Sequence, residues 1–152
     1  GIMITSFEGK YSFLSNFYAC QTEYHNVKYP TSEHAYQAAK TSNPIQREAI
    51  KNADTPDDAK RLGRRVEIKS NWDEIKDEVM YEIVSNKFKN KRMQAKLLAT
   101  ENEQLVEGNY WHDNHFGSCY CKKCLQLPKE NVLGKILMRV RDELRAEEQT
   151  NT

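Results

Sequence analysis

No stretch of the chain approaches the roughly 18 apolar residues of a membrane-spanning helix. No signal-peptide pattern opens it, so a cytoplasmic protein without membrane association is expected. That location argues against a disulfide framework for the four cysteines. Neither sign of charge dominates: 23 Lys and Arg meet 22 Asp and Glu, for a net charge of +1. The balance excludes a strongly basic, whole-surface nucleic-acid binder and leaves room for a local pocket that takes a phosphate. No linker, internal repeat or low-complexity segment interrupts the 152 residues, so one domain over 1–152 is expected. Gly1 reads as a remnant of cloning, and the tail 147–152 as frayed.

What is present is enough for a core and a binding surface. Hydrophobic residues make up 38%, and eight Tyr, five Phe and two Trp supply aromatic faces. Ile2–Phe7 reads as a first strand. Tyr11–Tyr18 is interrupted by Ser and Asn and reads as an ordered loop, with Phe13, Leu14 and Phe17 as core fillers and Asn16 and Tyr18 as ligand candidates. Tyr18–Thr22 and Tyr24–Tyr29 resemble a hairpin turning near Glu23 or at His25-Asn26. Asn43-Pro44 and Thr55-Pro56 each carry the grammar of a helix start. Long apolar stripes follow in the helices beginning near Asn71 and Val132, the second with Asn131 at its cap position. A shorter stripe runs from Met93 to Ala99, and Leu105-Val106-Glu107 reads as a short strand. The sum is a helix-rich α+β domain with a small antiparallel sheet.

Tyr29-Pro30-Thr31-Ser32-Glu33-His34-Ala35-Tyr36-Gln37-Ala38-Ala39-Lys40 stands apart. Pro30 ends a strand, and Thr31 or Ser32 can cap the helix that follows. Helical spacing puts Glu33, Tyr36 or Gln37, and Lys40 on one stripe, while alanines keep the other sides slim. No Leu or Ile sits on these turns. One reading is a solvated first-turn acid and last-turn base; the other is a chemical site. Lys60, Arg61, Arg64 and Arg65 form either a solvated face or a phosphate contact.

A second cluster fills the loop Tyr110–Cys124. Cys119, Cys121 and Cys124 with His112 or His115 offer four zinc ligands, but the spacing is not that of a paired knuckle. No metal is therefore expected, and the plainer reading is reduced thiols in a surface loop. Asp113 lies between an aromatic and a glycine-containing turn, where a carboxylate can be held close to a ligand.

Seven pieces occur in order: Ser15-Asn16-Phe17-Tyr18, Pro30-x-x-Glu33-His34-x-Tyr36-Gln37-x-x-Lys40, Leu62-Gly63-Arg64, Trp72, Lys87-Phe88, Trp111-x-Asp113 with Phe116-Gly117, and Asn131-x-Leu133-Gly134-x-Ile136-Leu137-Met138-x-Val140-Arg141. Together they resemble the YbiA-like, or NADAR, family. His112 stands where that family typically carries glycine, and Asp113 is retained. The resemblance implies N-glycosidic bond hydrolysis without a cofactor. Some members are similar to enzymes that cleave ribosylated intermediates of riboflavin synthesis, and others remove ADP-ribose from guanine in nucleic acid. It implies Glu33 as the essential carboxylate and Lys40 as a lysine that forms a Schiff base with the ribose. Asn16, Phe17, Tyr18, Tyr36, Gln37, Arg64, Trp72, Trp111 and Gly117 are implied to line the pocket, with Asp113 as an orienting group.

The chemistry suits those residues. Breaking a ribose–nitrogen bond develops positive charge on the sugar, which a carboxylate stabilises. A desolvated amine could instead attack the anomeric carbon. Glu33 and Lys40 are separated by about 10 Å along a helix axis, so they flank a ribose and do not share a proton. Gln37 between them can hold a sugar hydroxyl, and Phe17 or Trp111 can stack on the base. The expected ligand is an ADP-ribosyl or ribosyl-phosphate group, free or on one extruded or single-stranded nucleotide. Two rival classes are a module that binds ADP-ribose or NAD without cleaving it, and a zinc-stabilised interaction protein.

Overall fold

The computed structural model describes residues 2–150, so the readings of Gly1 and of positions 151–152 lie outside the described residues. In chain order the elements are β1 (Met3–Ile4), a 3-10 helix (Gly9–Leu14), β2 (Thr22–Tyr24), β3 (Val27–Tyr29), α1 (Ser32–Ala39), α2 (Pro44–Lys51), α3 (Pro56–Gly63) and α4 (Trp72–Lys87). Then come α5 (Lys91–Leu98), β4 (Gln104–Leu105), β5 (Gly108–Asn109), β6 (Ser118–Cys119), a 3-10 turn (Lys122–Cys124) and α6 (Val132–Thr150). The fold is α+β and rich in helix. No described helix is long and apolar enough to cross a membrane.

The strands are shorter than the sequence suggests, and they form three separate pairs. β2 and β3 make the expected antiparallel hairpin, with Thr22 opposite Tyr29. His25 and Asn26 turn it with φ of 48° and 65°, the left-handed pair that suits strand twist. The other two pairs, β1 with β4 and β5 with β6, are parallel. The expectation of an antiparallel sheet holds for the hairpin alone. Parallel partners come from segments distant in sequence, and no local turn signal announces them. The stretch Leu105–Glu107 contributes only Leu105 to β4, and Gly108-Asn109, read as its end, is itself a strand.

Two compact units emerge: Asn16–Lys87, and the residues through Ser15 together with those from Phe88 onward. In Asn16–Lys87, α1 is the centre and contacts α2, α3, α4 and the hairpin. Every residue of α1 is buried, including Ser32, Glu33, His34 and Gln37. Ala35, Ala38 and Ala39 lie at 0–2% exposure, so three helices approach an axis without bulky side chains. His34 anchors it: Nε2 donates to the Ala53 carbonyl at 3.0 Å, leaving Nδ1 to accept from the Thr31 hydroxyl at 2.8 Å. A carbonyl only accepts, so this pairing assigns the tautomer. α4 supplies Val79, Met80, Ile83 and Val84 to the same core.

In the other unit, α6 packs on α5 and β4. It runs through Glu147 to Thr150, in the stretch read as frayed. Phe13 and Leu14 fill the core as expected, but they do so from the 3-10 helix and not from a loop. Asn131 precedes α6, yet its side chain is used elsewhere: Oδ1 accepts from Glu107 N and Nδ2 donates to Leu105 O. Gly134 allows that approach, since a Cβ there would lie 2.0 Å from the Leu105 carbonyl.

Lys87, at the end of α4, is the largest fully buried side chain, with Nζ 5.9 Å from the centre of the Tyr18 ring. Burial pushes its ammonium down to about 7, partly opposed by Cys20. Between about 7 and the ordinary lysine range, the unfolded chain binds a proton that the folded chain does not, so stability rises with pH there. Below that window the full cost of a buried ammonium is present. Lys87→Met is therefore expected to lose this rise, so that its stability relative to the parent is greatest near pH 6 and falls as pH climbs through the window above about 7. Urea unfolding at several pH values reads this, and a pH-independent difference excludes the shifted amine.

Candidate active site

The loop–helix junction at the start of α1 builds the site. Thr31 caps the helix by accepting from His34 N at 3.1 Å. The backbone of Glu33 donates to the Asn16 carbonyl at 3.0 Å, which pins the Ser15–Tyr18 loop to the first helical turn. Glu33 is only 7% exposed, so the solvated-acid reading is overturned. Its Oε1 accepts from Gln37 Nε2 at 3.1 Å, one turn along. That donation fixes the Gln37 amide and turns its Oε1 away from the carboxylate.

Gln37 Oε1 and Asn16 Oδ1 are both buried without a hydrogen-bond partner among the described residues. Asn16 directs its Nδ2 to the sulfur of Met80 at 3.3 Å, a weak acceptor. A buried oxygen left unpaired is costly, and such acceptors call for a donor such as a hydroxyl. Gly63, the last residue of α3, faces the same amide: a Cβ there would lie 1.9 Å from Gln37 Oε1. Gly63 therefore belongs to the site as a residue whose missing side chain seats Gln37, a role that the Leu62-Gly63-Arg64 turn does not reveal in sequence.

Lys40 caps the C-terminal end of α1 and is partly buried. Its Nζ sits 5.8 Å from the centre of the Tyr36 ring, and Tyr36 meets Trp72 at 5.2 Å with a 55° tilt. Desolvation lowers the Lys40 pKa, Glu33 opposes this, and Lys60, Arg64 and Lys76 reinforce it. The stripe thus divides: Gln37 serves Glu33, and Tyr36 serves Lys40. Arg64 is exposed, in keeping with a solvated position from which its charge still reaches Lys40. Phe17 is 38% exposed, so it is not the core filler that the sequence suggested. Tyr18 lies beside Lys87, a buried lysine that motif reading placed next to Phe88 without assigning it to the site.

The remaining expected residues belong to the other unit. Asp113 Oδ1 accepts from His115 N at 3.0 Å and Phe116 N at 2.9 Å, so this carboxylate closes a tight turn. Buried Asn109, which sequence reading passed over, organises the loop. Its Nδ2 donates to the Asp113 carbonyl, and its Oδ1 accepts from the backbones of Trp111 and Asp113. Gly117 passes so close to Glu107 that a Cβ would lie 2.2 Å from the Glu107 carbonyl. Trp111 is 58% exposed. Cys119 and Cys124 are buried, so a loose surface loop of thiols does not describe them. With Cys121 and His112 they bring four ligand atoms within 4.8 Å of one another.

The NADAR domain model matches residues 5–145, a span that draws on both units. The N-glycosidase YbiA of Escherichia coli strain K12 is 33% identical over 144 residues, covering 90% of this chain and 84% of that protein. A riboflavin biosynthesis protein of Vibrio vulnificus is 35% identical over 141 residues, but this chain spans only 36% of it. The solution NMR structure of Escherichia coli YbiA superposes with a TM-score of 0.82 at 32% identity, covering 97% of this chain and 86% of that one. Sequence and fold agree over nearly the whole length: the chain belongs to the NADAR domain family, among relatives that are N-glycosidases.

Proposed function

We propose that this chain is a cytoplasmic N-glycosidase that hydrolyses a ribose–base bond, removing ADP-ribose from ADP-ribosylated guanine. The observation that carries the reading is the buried Glu33 carboxylate, held by Gln37 on the same helix as a partly buried Lys40 of lowered pKa. The unpaired oxygens of Asn16 and Gln37 are acceptors suited to ribose hydroxyls. The aromatic face of Phe17 suits a base, and the charge of Arg64 suits a phosphate. The names of the YbiA relatives support the reaction class. A riboflavin-pathway ribosylamine is the second substrate reading, favoured by the name of the Vibrio vulnificus relative.

The step is concrete. The bond from C1′ to the base nitrogen breaks, and the base leaves with the electron pair and takes up a proton. Glu33 stabilises the positive charge on the sugar and polarises the incoming water. In the covalent version, the Lys40 nitrogen bonds to C1′, loses a proton, and the ring oxygen leaves as a hydroxyl to give an iminium. Water then adds to C1′ and the amine departs. A depressed lysine pKa favours this version, because only the neutral amine attacks. Asp113 orders its own turn by accepting from the His115 and Phe116 backbones.

Three outcomes are expected. Glu33→Gln should lower hydrolysis of ADP-ribosyl-guanine by about 10²–10⁴-fold; full activity, read by mass spectrometry of the released base, sinks the carboxylate role. The same assay run on a riboflavin-pathway ribosylamine separates the two substrate readings. Gly63→Ala should push Gln37 off Glu33 and cost about a hundredfold in kcat, with the fold intact by circular dichroism. Borohydride added during turnover should trap a sugar on Lys40. The pH midpoint of trapping should lie below the ordinary lysine range and move upward in Lys60→Gln, which removes one of the cations that depress it. An unmoved midpoint means that these cations do not tune the nucleophile.

A further inference from the structure

We propose that His112, Cys119, Cys121 and Cys124 bind a structural zinc ion. Each offers one ligand atom, and all four atoms lie within 4.8 Å of one another. His112 Nδ1 lies 3.4 Å from the sulfurs of Cys121 and Cys124 and 3.9 Å from that of Cys119. Tetrahedral zinc, with bonds of about 2.3 Å to sulfur and about 2.0–2.1 Å to nitrogen, places its ligand atoms about 3.5–3.8 Å apart. The three nitrogen–sulfur spacings, 3.4–3.9 Å, lie close to that figure, and the wider separations in the set, up to 4.8 Å, need a contraction of about 1 Å to close on an ion.

Hydrogen bonding alone does not account for the cluster. One ring nitrogen offers a single lone pair or a single proton, so it cannot serve three sulfurs at once. A cation at the centre satisfies all four groups. Three soft thiolates and an imidazole select zinc over hard cations such as magnesium or calcium. Binding releases the thiol protons, and three thiolates with one Zn²⁺ leave a single net negative charge. Lys122 and Lys123 lie in the turn between the sulfurs, and Lys129 Nζ donates to the carbonyls of Cys124 and Leu127.

The backbone is shaped for this set. Cys119 ends β6, Cys121 precedes the 3-10 turn, and Cys124 ends that turn. His112 has a φ of 72°, in the left-handed region that favours glycine. A histidine there carries strain that its role as a ligand offsets. Four protein ligands leave no open position, so the ion is structural and not catalytic. It cross-links the loop of Trp111 and Asp113 to β6, separately from any chemistry at Glu33. His112 is exposed and Cys121 partly so, which gives the ion a way in.

The test uses the full chain, purified under reducing conditions without a metal-affinity tag. Elemental analysis should find one zinc per chain. Replacement with Co(II) should give the thiolate charge-transfer band and the intense visible bands of a tetrahedral site. His112→Gly suits the φ of that position and so should fold; its Co(II) bands should shift and its zinc affinity fall by at least about tenfold. Cys121→Ser should lose zinc, whereas Cys20→Ser should keep it. A parent protein that holds no zinc and gives no tetrahedral Co(II) spectrum overturns the proposal. So does zinc content unchanged in both His112→Gly and Cys121→Ser.

Discussion

A carboxylate taken out of water must be met by donors, and in this protein one of them is the amide one helical turn away. Gln37 donates to Glu33, and the rest of the Asn16–Lys87 unit is arranged around that contact. The Asn16 carbonyl receives the Glu33 backbone, Gly63 makes room for the amide, and three alanines let α2, α3 and α4 close over the helix. Burying polar side chains at the centre of a helical unit costs stability. This helix carries a buried carboxylate and amide where packing alone would be met by leucine.

The same low-dielectric surroundings act on the lysines. Lys40 loses hydration at the end of α1 and faces Lys60, Arg64 and Lys76, while only Glu33 favours its charge. Lys87 is more deeply buried and is shifted down to about 7 beside Tyr18. Depressed lysine pKa values cluster at sites that need a neutral amine. Three occur in this unit, at Lys40, Lys69 and Lys87, but only Lys40 adjoins the helix that carries the carboxylate.

In the other unit, local hydrogen bonds replace regular structure. Asn109, Asp113 and Asn131 tie a long loop to short parallel strand pairs, and Gly117 and Gly134 permit contacts that a Cβ would block. Such strand pairs are too short to be stable alone. Side-chain caps, and the zinc site inferred at His112 and the three cysteines, supply the order that β-structure cannot.

Much of this was legible in the chain itself. Apolar periodicity marks α4 and α6, Pro and Asn or Thr mark the starts of α2 and α3, and His25-Asn26 marks the hairpin, because each is a local rule acting within one element. The spacing of Glu33, Gln37 and Lys40 likewise determines their alignment on α1. Only the tertiary structure decided that this stripe faces inward, since burial depends on what packs against a helix and a polar sequence argues the other way. It also decided the parallel pairing of β1 with β4, the fit of Gly63 against Gln37, and the convergence of His112 with three cysteines. Those features depend on contacts between residues far apart in sequence, where local propensity carries no information.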